Sequence, residues 1–201
     1  MYEVNLKVLN ELAKLAPKED VRYYLNSVQV NIYPDHSIYA VTNGHYLVMY
    51  RETIDNPGTA SLIIPRETLV NTKPMNKPLD NARLEQSGDQ WVIQNTMFHP
   101  VDATYPDIIR VMPQPENLSS DNPAQTLDID SLYALNKCYQ KVSVKKHGNL
   151  RVMYNKDKTS GAFLDGNDQF IAVLMPVKQD AGTTPEWYDC LVQPVKQAKT
   201  A

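Results

Sequence analysis

The sequence is poor in the residues that usually build covalent or catalytic sites. Only two of its 201 residues are cysteine, Cys138 and Cys190, and only seven are glycine. Two cysteines cannot form a disulfide framework, and these two lack the spacing of metal ligands. The scattered glycines form no phosphate-binding loop, and no H-E-x-x-H or G-x-S-x-G motif occurs. We therefore predict no cofactor, no metal and no enzymatic activity. An active site built from distant residues is the alternative that the sequence leaves open.

Long apolar runs and an excess of positive charge are also missing. No segment approaches the roughly 18 apolar residues that cross a bilayer, and the amino terminus has no signal-peptide core. The formal net charge is −3 and the pI is about 5.8, which excludes a uniformly basic chain but leaves room for one basic face. We expect a cytoplasmic protein that has no membrane partner.

What the sequence does have is a pattern of strand, helix and strands that occurs three times. The first unit has strands at 2–4, 22–33, 37–41 and 46–50 and an amphipathic helix at 6–15. The second has strands at 61–65 and 97–103, a helix at 66–72 and a hairpin over 82–95. The third has strands at 126–130, 149–154, 160–165 and 169–177 and a helix with apolar residues Leu132, Leu135 and Tyr139, capped by Asp130. The pattern predicts an α+β fold with antiparallel sheets and helices on one face.

Composition divides the chain into four segments. Residues 1–113 hold the first two units, and residues 114–123 form a polar linker punctuated by proline. Residues 124–178 hold the third unit. Residues 179–201 form a polar tail, which either docks or hangs loose.

One turn carries more side chains than its geometry requires. Asn43 and Gly44 alone predict a two-residue hairpin between neighbouring strands. The turn does not explain why His45, Tyr46 and Leu47 follow. These residues therefore raise the question of a binding role.

Four segments together resemble a known family. They are R-Y-Y-L-N at 22–26, V-T-N-G-H-Y-L at 41–47, Y-P-D-I-I-R-V-M-P at 105–113 and F-I-A-V-L-M-P-V-K at 170–178. Their order and spacing resemble the bacterial sliding clamp, the beta subunit of the replicative DNA polymerase. That family shows R-Y-Y-L-N-G, A-T-D-G-H-R-L, F-P-D-Y-R-R-V-P and V-M-P-M-R-L. The resemblance runs from about residue 4 to residue 178. Residues 1–113 resemble the middle clamp domain, and residues 124–178 resemble the second half of the third.

The resemblance implies a groove that binds short peptides of DNA polymerase and other replication proteins. The wall residues that it implies are Leu25, Thr42, Gly44, His45, Tyr46, Leu47, Pro106, Arg110, Val111, Val173, Leu174, Met175, Pro176 and Val177. Their apolar side chains suit Leu and Phe anchors of an extended peptide, whereas each residue taken singly also fits a plain structural role. This chain departs from the family where Tyr46 replaces an arginine and where Lys178 and Gln179 replace Arg-Leu, so the preferred peptide can differ.

The resemblance also implies a homo-oligomeric ring around duplex DNA that supports polymerase processivity. The cations that would face DNA phosphates are Lys7, Lys14, Arg66, Lys73, Lys137 and Lys141. Solvent-exposed lysines of ordinary amphipathic helices are the equally natural reading. Four copies of one and a half domains would give the six domains of a clamp ring. The alternative is a clamp-derived adaptor or decoy, of phage or mobile-element type, that binds clamp partners without forming a ring.

Overall fold

The computed structural model describes residues 1–73, 81–119, 126–143, 150–156 and 162–177. Within these ranges the helices are α1 (Leu6–Leu15), α2 (Arg66–Asn71) and α3 (Ile129–Val142). The strands are β1 (Tyr2–Asn5), β2 (Ser27–Ile32), β3 (His36–Thr42), β4 (Tyr46–Thr53), β5 (Ala60–Pro65), β6 (Asn81–Ser87), β7 (Gln90–Ile93), β8 (Thr96–Phe98), β9 (Leu118–Ser119), β10 (Arg151–Asn155), β11 (Ala162–Asn167) and β12 (Phe170–Leu174). The predicted α+β class with antiparallel sheets is confirmed. In the described residues no helix is long and apolar enough to cross a membrane.

The strands form two sheets that exchange strands between units. One sheet has four strands in the order β1-β6-β7-β8, and the other has eight in the order β5-β2-β3-β4-β12-β11-β10-β9. All described strand pairs are antiparallel. Strand β1 precedes the first helix but pairs with β6 of the second unit, and β5 precedes the second helix but pairs with β2 of the first. This exchange ties the first two units together.

The third unit joins the first by direct strand pairing. β12 runs antiparallel to β4, and Val173 lies opposite Leu47 while Leu174 lies opposite Tyr46. Because side chains alternate along a strand, one face of this junction packs under the helices and the other faces outward. Tyr46 and Leu174 belong to the main core, whereas Leu47 and Val173 belong to a smaller outer cluster with Ala40.

Helix α1 lies at the centre of the core and packs against both α2 and α3. Its leucines recur at helical spacing, and the buried set is Leu6, Val8, Leu9, Leu12, Ala13 and Leu15. Asn5 caps the helix, because its side-chain oxygen accepts a hydrogen bond from the Val8 amide at 3.1 Å. The predicted helix 6–15 is confirmed at both ends.

A close contact fixes α3 on β11 of the eight-stranded sheet. The Tyr139 ring is 1% exposed and its hydroxyl donates to the Gly166 carbonyl oxygen at 2.6 Å. A β-carbon at position 166 would lie 2.7 Å from Tyr139 Cδ2 and closer still to Cε2. Only glycine therefore lets the strand approach the ring. Phe170 also packs against the ring, with ring centroids 5.2 Å apart.

Several predicted elements differ in the structure, and one of them is the strand predicted at 169–177, which ends at 174. Residues 22–26 are not the start of a strand, since Tyr23–Leu25 form a 3₁₀ turn before β2. The N-cap of α3 is Asp128 rather than Asp130, because the Asp128 carboxylate accepts the Ser131 amide at 2.9 Å and the helix begins two residues earlier. The strand predicted at 126–130 reduces to one bridge between Thr126 and Val177. The strand predicted at 97–103 ends at 98. The predicted linker contains β9, which pairs with β10.

The predicted tail, residues 179–201, lies outside the described residues. Residues 120–125, where the predicted linker meets the third unit, also lie outside the described residues. The same holds for Lys178 and Gln179, where the sequence departs from the family pattern. The fourfold division of the chain into segments stays a prediction.

Candidate functional site

An apolar cleft opens on the outer face of the junction between β4 and β12. Leu47 and Val173 form its floor, at 4% and 2% exposure, and they lie directly opposite each other in the sheet. The cavity has a volume of about 170 Å³. Its lining comes from three distant parts of the chain: Arg22, Tyr24, Leu25, Thr42, Gly44, His45, Tyr46, Leu47, Pro106, Asp107, Ile108, Val111, Val173 and Met175. The cleft therefore exists only where the first and third units meet.

The turn at residues 43–45 forms one lip of this cleft. The Asn43 side-chain oxygen accepts the amides of His45 and Tyr46 at 2.9 and 3.0 Å. Thr42 Oγ1 accepts the Gly44 amide at 3.1 Å and donates to the Tyr46 carbonyl at 2.6 Å. The predicted two-residue hairpin is wrong, because β3 ends at Thr42 and β4 begins at Tyr46. Gly44 has a φ of +89°, whereas Asn43 is not in the left-handed region.

Arg22 lies across the glycine of this lip. A β-carbon at Gly44 would be 3.1 Å from both terminal guanidinium nitrogens of Arg22. The guanidinium also donates to Asp20, with Nη2 3.0 Å from Oδ2 and Nε 3.0 Å from Oδ1. These hydrogen bonds hold the pKa of Asp20 below its ordinary value and raise that of Arg22. The acid fixes the cation at the cleft mouth, where Nη2 also lies 3.4 Å from the Asn43 carbonyl oxygen and donates to it.

Tyr46 lies beneath the lip rather than on it. Its ring enters the main core, and its hydroxyl donates to the Leu15 carbonyl oxygen at 2.6 Å. The last carbonyl groups of α1 have no donor within the helix, and this hydrogen bond supplies one for the Leu15 carbonyl. Burial raises the pKa of Tyr46 to about 12. The aromatic residue that replaces the family arginine therefore connects the lip to the first helix.

The opposite wall is the segment that follows Tyr105. The Tyr105 hydroxyl accepts the Thr42 amide at 3.2 Å, and burial raises the pKa of this phenol above its ordinary value. Asp107 then caps a 3₁₀ turn, Ile108–Val111, by accepting the Ile109 amide at 3.1 Å. Tyr105 anchors the segment to β3, and the turn presents Ile108 and Val111 to the cavity.

A second cleft lies on the other side of His45 and Met175. It has a volume of about 460 Å³ and is lined by His45, Asp128, Ser131, Leu174, Met175, Pro176 and Val177. The Met175 amide donates to the His45 carbonyl at 2.8 Å, so a backbone bridge separates the two clefts. Hydrogen bonds from Ser131 lower the pKa of Asp128, which keeps a negative charge at this end. An extended chain laid across the bridge would contact both clefts.

The structure brings most of the predicted groove residues together. Ten line the first cleft: Leu25, Thr42, Gly44, His45, Tyr46, Leu47, Pro106, Val111, Val173 and Met175. Leu174, Pro176 and Val177 line the second. Arg110 lines neither. Its side chain is 85% exposed, and its Nε lies 3.2 Å from the Asp107 carboxylate.

Sequence reasoning missed six lining residues. Arg22, Tyr24, Asp107 and Ile108 fall inside the quoted segments 22–26 and 105–113, so those segments were the available signal. Asp128 and Ser131 lie outside the quoted segments, and their local patterns indicate only a strand and the start of a helix.

The predicted DNA-facing cations all lie on or beside the helices, and none is buried. Lys7, Lys14, Lys73, Lys137 and Lys141 are exposed, and Arg66 is half-buried. Lys14 pairs with Glu11 at 2.5 Å, and the Lys137 ammonium lies 6.0 Å from the Tyr133 ring centroid. Glu11 therefore offsets the charge of Lys14 on α1. Across the part of the chain that the structure describes, no cluster of three or more His, Cys, Asp or Glu residues could hold a metal ion.

No family model and no curated protein matches the sequence. Solved structures do match the fold. The DNA polymerase III subunit beta of Pseudomonas aeruginosa has a TM-score of 0.58 at 16% identity, and the match covers 88% of this chain and 65% of that one. The Thermotoga maritima subunit has a TM-score of 0.62 at 14% identity, with the same coverage of 88% and 65%.

A Helicobacter pylori beta clamp bound to a DNA ligase peptide has a TM-score of 0.65 at 12% identity, over 89% of this chain and 65% of that one. At such identities the likeness establishes the fold alone. The chain spans 65% of the length of these clamp subunits.

Proposed function

We propose that this chain, which shares the fold of the bacterial sliding clamps, is a clamp-like accessory protein of DNA replication that binds short peptides of replication proteins. The observation that carries the proposal is the apolar floor of Leu47 and Val173 at the junction of two units. Residues from three separate segments converge there, which is more than a single buried strand would require. A clamp with the same fold binds a DNA ligase peptide.

The chemistry of the two clefts favours an extended peptide with two apolar anchors. Val111, Val173 and Met175 offer an adaptable apolar surface to a Leu or Phe side chain in the first cleft. The Arg22 guanidinium and the His45 ring stand at its mouth and can bond to backbone carbonyls or to a Gln side chain. Asp128 in the second cleft favours a neutral or basic residue at that end over an acidic one. The proposed role involves no catalysis, cofactor or metal, and it belongs in the cytoplasm.

Binding of a labelled peptide tests this role. The probe is a short fluorescein-labelled peptide with one Gln and with Leu and Phe anchors, followed by fluorescence anisotropy. Met175→Asp and Val111→Asp place a charge on partly exposed cleft walls, so we expect each to raise the dissociation constant at least about 30-fold. Leu47→Asp is a poorer test, because a charge at this 4% exposed position also destabilises the sheet.

Met97→Asp serves as the matched control. Met97 is 60% exposed on β8, outside both clefts, so its substitution adds the same charge without touching them. We expect its peptide affinity to equal that of the wild type. Unchanged affinity in Met175→Asp and Val111→Asp would show that the peptide site lies elsewhere.

Encirclement of double-stranded DNA by a homo-oligomer is the further part of the proposal. Cations on all three helices support it, since sequence-independent binding rests on contacts with phosphates. A ring predicts retention on nicked circular DNA that is lost when the DNA is linearised. The adaptor alternative predicts peptide binding without such retention.

A further inference from the structure

Helix α3 carries apolar side chains on two sides, and only one of them is covered. Leu135, Cys138, Tyr139 and Val142 face the core. The second side presents Ile129, Leu132 and Tyr133, which together with Leu150, just before β10, and Val152, within β10, form a surface that we call the α3 face. Ile129 is 78% exposed, Tyr133 64% and Val152 37%. These residues, with Asn136, Gln140 and Leu164, line a cleft of about 620 Å³. A helix that is apolar on two sides normally packs on two sides.

The rest of the chain shows what covers such a side. In the first two units α1 packs against α2, and each unit gives a strand to the other's sheet. In the described residues the third unit pairs with the first through β12 and packs α3 against α1, while the side of α3 that holds Ile129 and Tyr133 stays exposed. Strand β9, from the predicted linker, takes the outer position beside β10 that β1 takes beside β6. The sheet edge is thus partly covered, whereas the α3 face remains open.

We propose that the α3 face docks on the same face of a second copy of this chain, with the two α3 helices antiparallel about a twofold axis. Two observations favour a second copy. All eight side chains that line the cleft are uncharged, so the surface can meet itself without placing like charges in contact. The charges that border it are also arranged for self-pairing, as the ends of the helix show.

The two ends of α3 carry opposite charge. Asp128 and Asp130 lie at its start, and Lys137 and Lys141 lie in its second half. A twofold axis perpendicular to the helix places the acidic start of one copy beside the basic end of the other. Asp130 and Lys141 lie on the same flank of the helix, eleven residues apart, which is three turns. The antiparallel arrangement therefore pairs these charges on one side of the interface and also opposes the two helix dipoles.

Oligomeric mass tests the proposal. We expect the full chain to dimerise in sedimentation equilibrium. Tyr133→Glu should raise the dimer dissociation constant at least about 30-fold, since a buried interface aromatic is replaced by a charge. Tyr133 is mostly exposed within one chain, so the variant should fold. Met97→Glu adds the same charge outside the face and should leave the dimer unchanged. A wild-type protein that stays monomeric at every concentration measured would overturn the proposal.

Charge reversal tests the antiparallel arrangement. Asp130→Lys and Lys141→Asp should each weaken the dimer, and the double variant should recover most of the lost affinity. Asn136→Cys lies near the middle of the helix, where antiparallel copies meet at the axis, and should form a symmetric disulfide under mild oxidation. Wild type treated alike controls for the native cysteines. Failure of both the rescue and the cross-link would exclude this arrangement. Peptide affinity should not change in Tyr133→Glu, which separates this proposal from the peptide site.

Discussion

Replacing Gly166 with alanine tests how the third unit holds its helix. The added β-carbon would lie 2.7 Å from Tyr139 Cδ2 and 3.0 Å from Cζ, so either the ring or the strand must move. The ring is 1% exposed and packs against Phe170, which leaves it no free space. Overpacking of this kind costs about 1–3 kcal/mol. Displacing the ring also weakens the hydrogen bond from its hydroxyl to the Gly166 carbonyl, worth about 1 kcal/mol.

The free energy of unfolding should therefore fall by about 2–4 kcal/mol, which is a Tm roughly 5–15 °C lower for a chain of this size. Urea unfolding followed by circular dichroism measures the difference. Gly58→Ala is the matched control, because nothing lies within 4 Å of a β-carbon there, and it should change stability by less than about 0.5 kcal/mol. Tyr139→Phe isolates the hydrogen bond and should cost about 1 kcal/mol. If Gly166→Ala is as stable as Gly58→Ala, the close contact does not constrain the unit.

Three further substitutions test other contacts. Tyr46→Phe removes the hydrogen bond to Leu15 and should cost about 1 kcal/mol at pH 8. Burial raises the pKa of Tyr46 from about 10 in the unfolded chain to about 12 in the folded protein, so the wild type loses the stabilising effect of this phenol as the pH rises from 10 to 12. The variant lacks the phenol. Its free energy of unfolding, measured by urea titration, should therefore fall less steeply than that of the wild type over this pH range. Gly44→Ala should lower the free energy of unfolding by about 1–2 kcal/mol, because φ at this position is +89°. It should also weaken peptide binding, because the added β-carbon displaces Arg22. Unchanged fluorescence anisotropy would show that Arg22 does not contribute to the peptide site. Asn5→Ala should cost about 1–2 kcal/mol in urea unfolding through loss of the α1 cap, and no loss would mean that water replaces it.

The sequence predicted those elements whose periodicity is strong. Helix α1 begins and ends at the predicted residues, because its apolar side chains mark one stripe and Pro17 follows the C-cap residue Ala16. The alternation of Val28, Val30 and Ile32 located β2 within the longer predicted strand 22–33, and all three residues are at most 1% exposed. Local spacing of apolar residues was sufficient for these elements.

The errors arose where nonlocal contacts decide the structure. Strand β9 has only two residues and exists because β10 offers an unpaired edge, which no local pattern reveals. Asp128 and Asp130 are both good capping residues, and the local sequence does not distinguish them, whereas in the structure Asp128 caps the helix. The cleft was anticipated through the resemblance of its segments, whereas the inward position of Tyr46 depends on the end of α1 and was not.

The pairing of β4 with β12 has a consequence for how the protein folds. Leu47 and Val173 lie 126 positions apart in the sequence, so their contact closes one of the long loops between described residues and should form late. The first cleft, which has Leu47 and Val173 as its floor, then forms only after this late step. A bound peptide would report completion of folding, and it would slow the opening of the junction between the first and third units by mass action.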